Sequence, residues 1–150
     1  MQHFLEFQID DFRLALALDS IIKVEQAAEI RPLPGCPPSV HGIIDFHGRL
    51  VPVLNLREKF YLKPAELRTW MFFILVKTKE RLLALIADSL GNVISCDPVS
   101  LLPGTSVDQS FLPDSLMKTS EGVLLICDPD KFLNSPEKIE LEKLMDSASK

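Results

Sequence analysis

Residues 14–24 read LALALDSIIKV, and residues 83–93 read LALIADSLGNV. Six of these eleven positions are identical at an offset of 69 residues. The same offset lays Leu33-Pro34-Gly35 on Leu102-Pro103-Gly104, and Phe4 on Phe73. Farther along, residues 51–60 (VPVLNLREKF) resemble residues 123–132 (VLLICDPDKF) at an offset of 72, as a three-residue insertion would produce. Leucine and alanine are common here, and chance could supply one such match. Three blocks in one order, two of them at one offset, point to an internal duplication. Inside the first block, Leu14, Leu16 and Leu18 recur at period two with Ala15 and Ala17 between them, the pattern of a strand covered on both faces.

The flanking sequence is strand-rich as well. Phe4, Glu6 and Gln8 alternate with Leu5, Phe7 and Ile9, and Asp10-Asp11 supplies a hairpin turn. Ile21, Ile22 and Val24 keep β-branched character until Arg31-Pro32-Leu33-Pro34-Gly35, which suits neither a helix nor a central strand. Pro37-Pro38 extends that loop. Ile43-Ile44 and the apolar run at 50–54 flank His47-Gly48, which reads as a hairpin tip. Asn55 is placed to cap a short helical turn through Phe60. Residues 63–68 read as a linker, after which the pattern restarts: a strand over 71–76, a turn over 77–80 and a strand over 82–87.

The chain therefore divides into two strand-rich units, about 3–62 and 70–134. A sheet of that size with open edges is a liability, so each unit is expected to curl into a small closed barrel. Barrels of ~60 residues are marginal alone and should share an apolar seam. Trp70, beside the linker, is expected in the core or that seam. Asp128-Pro129-Asp130 and Ser135-Pro136-Glu137 are helix-start signals. Ile139, Leu141, Leu144 and Met145 then mark an amphipathic C-terminal helix over 135–150, with a fraying Ser-Ala-Ser-Lys end. The predicted fold class is all-β: two small β-barrels with a C-terminal helix.

Composition narrows the function. In 150 residues, 47% are hydrophobic and 25% charged, ordinary proportions for a folded chain, and the net charge is −5. Nucleic acid is an unexpected partner, because phosphate binding needs a concentrated positive face. No apolar run approaches the ~20 residues that cross a bilayer, so no direct membrane insertion is expected. No export signal is visible, and Cys36, Cys96 and Cys127 are odd in number and widely spaced, which suits a reducing, cytoplasmic location.

Motifs for chemistry are scarce. Nucleotide-cradling glycine loops and hydrolase elbows are absent. Cys36, His41 and His47 form one segment that can be read as metal ligands, or as a buried thiol with two loop or strand-end imidazoles; a fourth ligand and a matched spacing are missing. The carboxylate pairs at Asp10-Asp11 and Asp128-Asp130 sit where turns and helix caps want acids, which competes with general acid–base work. No cofactor is expected. A chain of paired barrels without a catalytic constellation reads as a non-enzymatic docking module; a small-ligand or metal-binding β-barrel is the alternative.

Several motifs, in order, resemble the signature of CheW-like domains, the coupling proteins of bacterial chemotaxis: Pro32-Leu33-Pro34-Gly35, Pro37-Pro38, Val40, Gly42-Ile43-Ile44, Gly48-Arg49 and the run from Val51 through Pro52-Val53-Leu54-Asn55-Leu56 to Arg57. Ala87-Asp88-Ser89-Leu90-Gly91-Asn92-Val93 resembles the family's second signature. The resemblance covers residues 3 to 145, and it treats the chain as a single domain. It implies two SH3-like five-stranded β-barrels. In the family the first strand can associate with the second barrel, which would move the structural boundaries away from 3–62 and 70–134.

The resemblance also implies a cytoplasmic adaptor rather than an enzyme. Such a scaffold bridges chemoreceptor cytoplasmic helices to the regulatory domain of a CheA-type histidine kinase. Carried over by position, Val24 and Gln26 fall on a partner-contacting strand. Ile43, Ile44, Asp45, His47 and Arg49 lie on the hairpin beside the receptor groove, and Leu90 and Val93 on its far side. For the apolar members of this set, barrel core is the competing assignment. One departure stands out: the family commonly has Asn-Leu-Arg-Gly at the hairpin, and here the residues are Asp45-Phe46-His47-Gly48. Histidine lacks arginine's permanent charge and five-donor fork. That change fits a divergent scaffold of a sensory pathway other than motility as an alternative.

Overall fold

The computed structural model describes residues 1–97, 102–103 and 115–148; Gly104 of the second Pro-Gly loop and the last two residues of the tail lie outside them. The duplicated halves form one series of elements twice. The first series is β1 (Gln2–Ile9), β2 (Phe12–Ala17), β3 (Ile21–Gln26), β4 (Val40–Phe46), β5 (Arg49–Leu54) and α1 (Leu56–Lys59). The second is β6 (Phe72–Lys77), β7 (Leu82–Ala87), β8 (Ser89–Cys96), β9 (Leu102–Pro103), β10 (Ser115–Thr119), β11 (Gly122–Cys127) and a 3-10 turn at Pro129–Lys131. The C-terminal helix α2 (Ser135–Ala148) follows.

The sheets cut across those halves. One sheet runs β8-β1-β2-β11-β10-β9, and the other β3-β6-β7-β5-β4. Strand for strand, β8-β1-β2-β11-β10 repeats β3-β6-β7-β5-β4, with the two leading hairpins exchanged. Hairpin β1–β2 completes the sheet of the second half, and hairpin β6–β7 completes that of the first. The units 3–62 and 70–134 thus do not each close on themselves. Both hairpins carry the same alternation, so either can complete either sheet. The two parallel junctions match: Ile126 pairs with Ala15, and Val53 pairs with Ala84. Val53 therefore corresponds to Ile126, an offset of 73 and not 72; the insertion is one residue longer than the letters suggest.

Exchange brings the leucine faces together. Leu14 and Leu16 of β2 join Leu83 and Leu85 of β7, with Ile74 and Val76, in a core shared by both sheets. Each such leucine is at most 3% exposed, and each full burial contributes about 1.5–3 kcal/mol. The opposite faces line the separate barrels. Ala15 packs with Phe4, Met117, Leu124 and Ile126, while Ala84 packs with Phe73, Ile44, Val51 and Val53. Small alanines suit these tight interiors, as the leucine–alanine alternation requires.

The barrel of sheet β3-β6-β7-β5-β4 closes where Arg31 bridges Ile43, with N–H···O distances of 2.8 and 2.9 Å in the two directions. Gly42 permits that approach, since a Cβ there would run into the Arg31 carbonyl oxygen. The ladder between β5 and β7 begins at Val53, one residue after Pro52, which has no N–H to donate.

Capping follows the sequence closely. The Asn55 side chain accepts from Glu58 N at 3.3 Å at the start of α1, and Asp128 accepts from Asp130 N at 3.0 Å before the 3-10 turn. Helix α2 starts at Ser135, where it is expected, and the residue before it supplies the cap. Asn134 accepts from Glu137 N and Glu137 accepts from Asn134 N, both at 2.9 Å, forming a capping box. Leu141 and Met145 bury in the shared core, whereas Ile139 is exposed. The helix runs on through Ser147 and Ala148, part of the end expected to fray. No helix among the described residues is long and apolar enough to cross a membrane.

Candidate functional site

Strand β3 and the β4–β5 hairpin stand at the two ends of the sheet β3-β6-β7-β5-β4. On β3, Val24 is half-buried and packs against the shared core, and Gln26 is exposed. Gln26 Nε2 donates to the Thr69 carbonyl at 2.6 Å, tying the end of the linker to this strand. Lys23 reaches across toward the hairpin, its ammonium 5.9 Å from the centre of the Phe46 ring.

The hairpin tip is made by its own residues. His47 and Gly48 have φ of 52° and 85°, the positive values that a two-residue type I′ turn demands. Asp45 Oδ1 accepts from Gly48 N at 2.8 Å and fastens the turn. His47 is exposed, with its ring edge-on to Phe46 at 4.5 Å between centroids. Arg49 is exposed on the returning strand, paired with Phe46.

The expected binding set does not converge on one patch. Ile43 and Ile44 are only 8% and 6% exposed; Ile43 belongs to the shared core and Ile44 to the interior of the barrel of its own sheet. They hold the hairpin in place and offer no surface, because adjacent residues on a doubly covered strand face two cores. Val24, Ile43 and Leu90 meet the same shared core, Leu90 from β8 of the other sheet. Val93, farther along β8, is 58% exposed. Gln26, Asp45, His47, Arg49 and Val93 form the accessible part of the set.

Exposed apolar side chains on and beside β3 escaped the sequence reading, Ile22 and Trp70 among them. Ile22 of β3 is 46% exposed. Trp70, expected in the core or seam, is 64% exposed, with the Arg68 guanidinium 5.8 Å from its ring centre. Only the linker's position beside the end of β3 could have signalled this. Local hydrophobicity points the wrong way.

The residues read as possible chemistry do structural work. Asp10 has φ of 53° in the first hairpin, and its N–H donates to Asp88 at 2.7 Å. Asp88 also pairs with Arg57 at 2.8 Å. Asp130 accepts from Lys79 N at 2.8 Å. The Cys36 thiol donates to the Val40 carbonyl at 3.2 Å; burial pushes its pKa up, with a further push from Glu140 and a backbone hydrogen bond opposing. Partial desolvation lowers the His41 pKa, although its side chain is exposed. Six residues of extended strand separate His41 from the His47 tip, about 20 Å, so Cys36, His41 and His47 cannot share one ion. Among the described residues no three histidine, cysteine or acidic side chains are grouped to hold a metal.

Comparison with known proteins agrees with this architecture. Residues 3–137 match the family model described as CheW-like domain. A curated relative, "Chemotaxis protein CheW" of Thermotoga maritima, is 29% identical over 86% of this chain and 85% of that protein. Another of the same name from Treponema pallidum is 23% identical over 93% of this chain and 89% of its own length. The crystal structure of the scaffolding protein TtCheW from Thermoanaerobacter tengcongensis superposes with a TM-score of 0.81 at 22% identity, over 91% of this chain and 90% of that one. At that identity the likeness is one of fold.

Proposed function

The chain belongs to the CheW-like domain family, and from that premise we propose that it is a non-enzymatic scaffold of a bacterial chemosensory system. It couples the cytoplasmic helices of chemoreceptors to the regulatory domain of a CheA-type histidine kinase, in the cytoplasm and without a cofactor. The observation that carries this reading is the family match from residue 3 to 137, which takes in both barrels. Asp128 and Asp130 are occupied as cap and turn acceptors, which supports docking over catalysis. The mechanism is positional: two partners held on one rigid body see each other at a raised effective concentration.

The accessible part of the binding set, Gln26, Asp45, His47, Arg49 and Val93 with half-buried Val24 and Leu90, is where partner contact is assigned. Co-purification with a CheA-type regulatory domain and a receptor cytoplasmic fragment tests the reading. A three-component complex that depends on this chain is expected; failure to capture either partner would sink it. A scaffold serving a pathway other than motility is the second reading, favoured by His47 at the exposed tip where the family commonly has arginine. A His47→Arg variant that gains affinity for receptors of a motility system, which the parent binds poorly, would support it.

A further inference from the structure

We propose that the cavity between the β6–β7 turn and α2 binds a small monocarboxylate with a branched aliphatic body. The inference is independent of the scaffold reading and uses none of its residues. The cavity is about 100 Å³. Its apolar lining is Leu83, Pro129, Leu133 and Leu141, all buried in the chain. An apolar cavity of roughly 150 Å³ holds benzene, so this one suits a four- or five-carbon branched group.

The walls are fixed. Thr78 Oγ1 donates to the Arg81 carbonyl at 2.8 Å and accepts from Arg81 N at 3.1 Å, which sets the turn. Lys79 N donates to Asp130 at 2.8 Å and ties that turn to the 3-10 turn across the cavity. Site geometry is thus set by these side-chain-to-backbone bonds before any ligand arrives.

The rim supplies the chemistry. Arg81 lines the cavity and is half-buried, and among the described residues its guanidinium has no hydrogen-bond or ion-pair partner. A guanidinium presents five donors in a fork that matches the two oxygens of a carboxylate. Lys138 adds a second cation, held only loosely by Glu80 at 3.6 Å. Glu80, Asp130 and Glu142 also border the cavity; they repel any anion, which confines a carboxylate to the Arg81 side and disfavours a second negative charge still more. A carboxylate on Arg81 with its alkyl end on the leucines uses the unpartnered guanidinium and the apolar lining together.

Sodium isovalerate is the probe, titrated against this 150-residue chain by amide NMR. Saturable shifts are expected around residues 78–83 and 129–142 with a dissociation constant of about millimolar, the scale for a ligand of this size. Arg81→Gln should weaken binding about tenfold or more, and isovaleramide, lacking the charge, should bind as weakly to the parent. Glu142→Gln removes a repelling carboxylate and should tighten isovalerate binding two- to threefold, roughly; this variant decides the matter should Arg81→Gln lose its fold. The proposal is overturned by an absence of saturable shifts, by shifts centred elsewhere, or by isovaleramide binding as tightly as isovalerate.

Discussion

Gly42 and Glu137 show how much single positions carry. Gly42 lets the Arg31–Ile43 bridge form, and any side chain there meets backbone that cannot move aside cheaply. Gly42→Ala is expected to cost about 2–3 kcal/mol, read as a lower urea midpoint. Gly48→Ala is the contrast: its φ of 85° is strained for alanine but nothing lies within 4 Å of the new Cβ, so about 1 kcal/mol is expected. Glu137 joins the Asn134 cap, Lys59 of α1 at 2.5 Å and buried Ser39. Burial alone would raise its pKa, but the hydrogen bonds from Asn134, Lys59 and Ser39, with the Lys59 charge, outweigh burial and hold it below the ordinary carboxylate value. The sign follows: this stabilisation is present above the ordinary value and is lost as pH falls through the lowered one. Thermal unfolding of Glu137→Gln should show a lower midpoint at neutral pH and a flatter acid limb than the parent. Parallel limbs would remove Glu137 from the acid response.

At the positions proposed for partner contact, His47→Ala and Val24→Thr should weaken binding of a receptor cytoplasmic fragment about fivefold or more, with the thermal midpoint little changed for His47→Ala. Unchanged binding in both would move the contact away from β3 and its neighbouring hairpin.

Among the elements, β2 and β7 were the most legible. Leucine on one face and alanine on the other announced strands covered twice, and the structure puts the leucines in the shared core and the alanines inside the barrels. Leu16→Ala and Leu85→Ala should each cost about 2–5 kcal/mol and lower a single unfolding transition, since both sit in the core common to the sheets. Two separated transitions would contradict a shared core. The β5–β11 match was less legible. Side-chain direction flips with every residue of slip, yet apolar letters on a doubly covered strand look alike in either register. Only the paired caps, Asn55 and Asp128 at an offset of 73, carry the true alignment. The candidate site was hardest, because Ile43 and Ile44 have the same composition whether they face a partner or two cores. Exposure at Trp70 depends on where the linker lies, which no local pattern encodes.

For the molecule as a whole, the very identity that revealed the duplication concealed the exchange. LALALDS and LALIADS are near-equal claims on either sheet, so nothing local says which barrel a hairpin completes. The lengths and paths of the connections decide it, and those are properties of the entire chain. One result is that residues 3–62 contain no complete barrel, and neither do residues 70–134. Yet the segment 63–68 that joins them is exposed along its length. A protease that nicks there would sever the polypeptide without parting it, because each fragment lends the other a hairpin at the centre of its sheet. The two pieces should co-elute as one folded particle, and each expressed by itself should fail to fold until its complement is added. In effect the chain is a pair of interlocked halves, and a split version could serve as a self-assembling reporter of whether both are present.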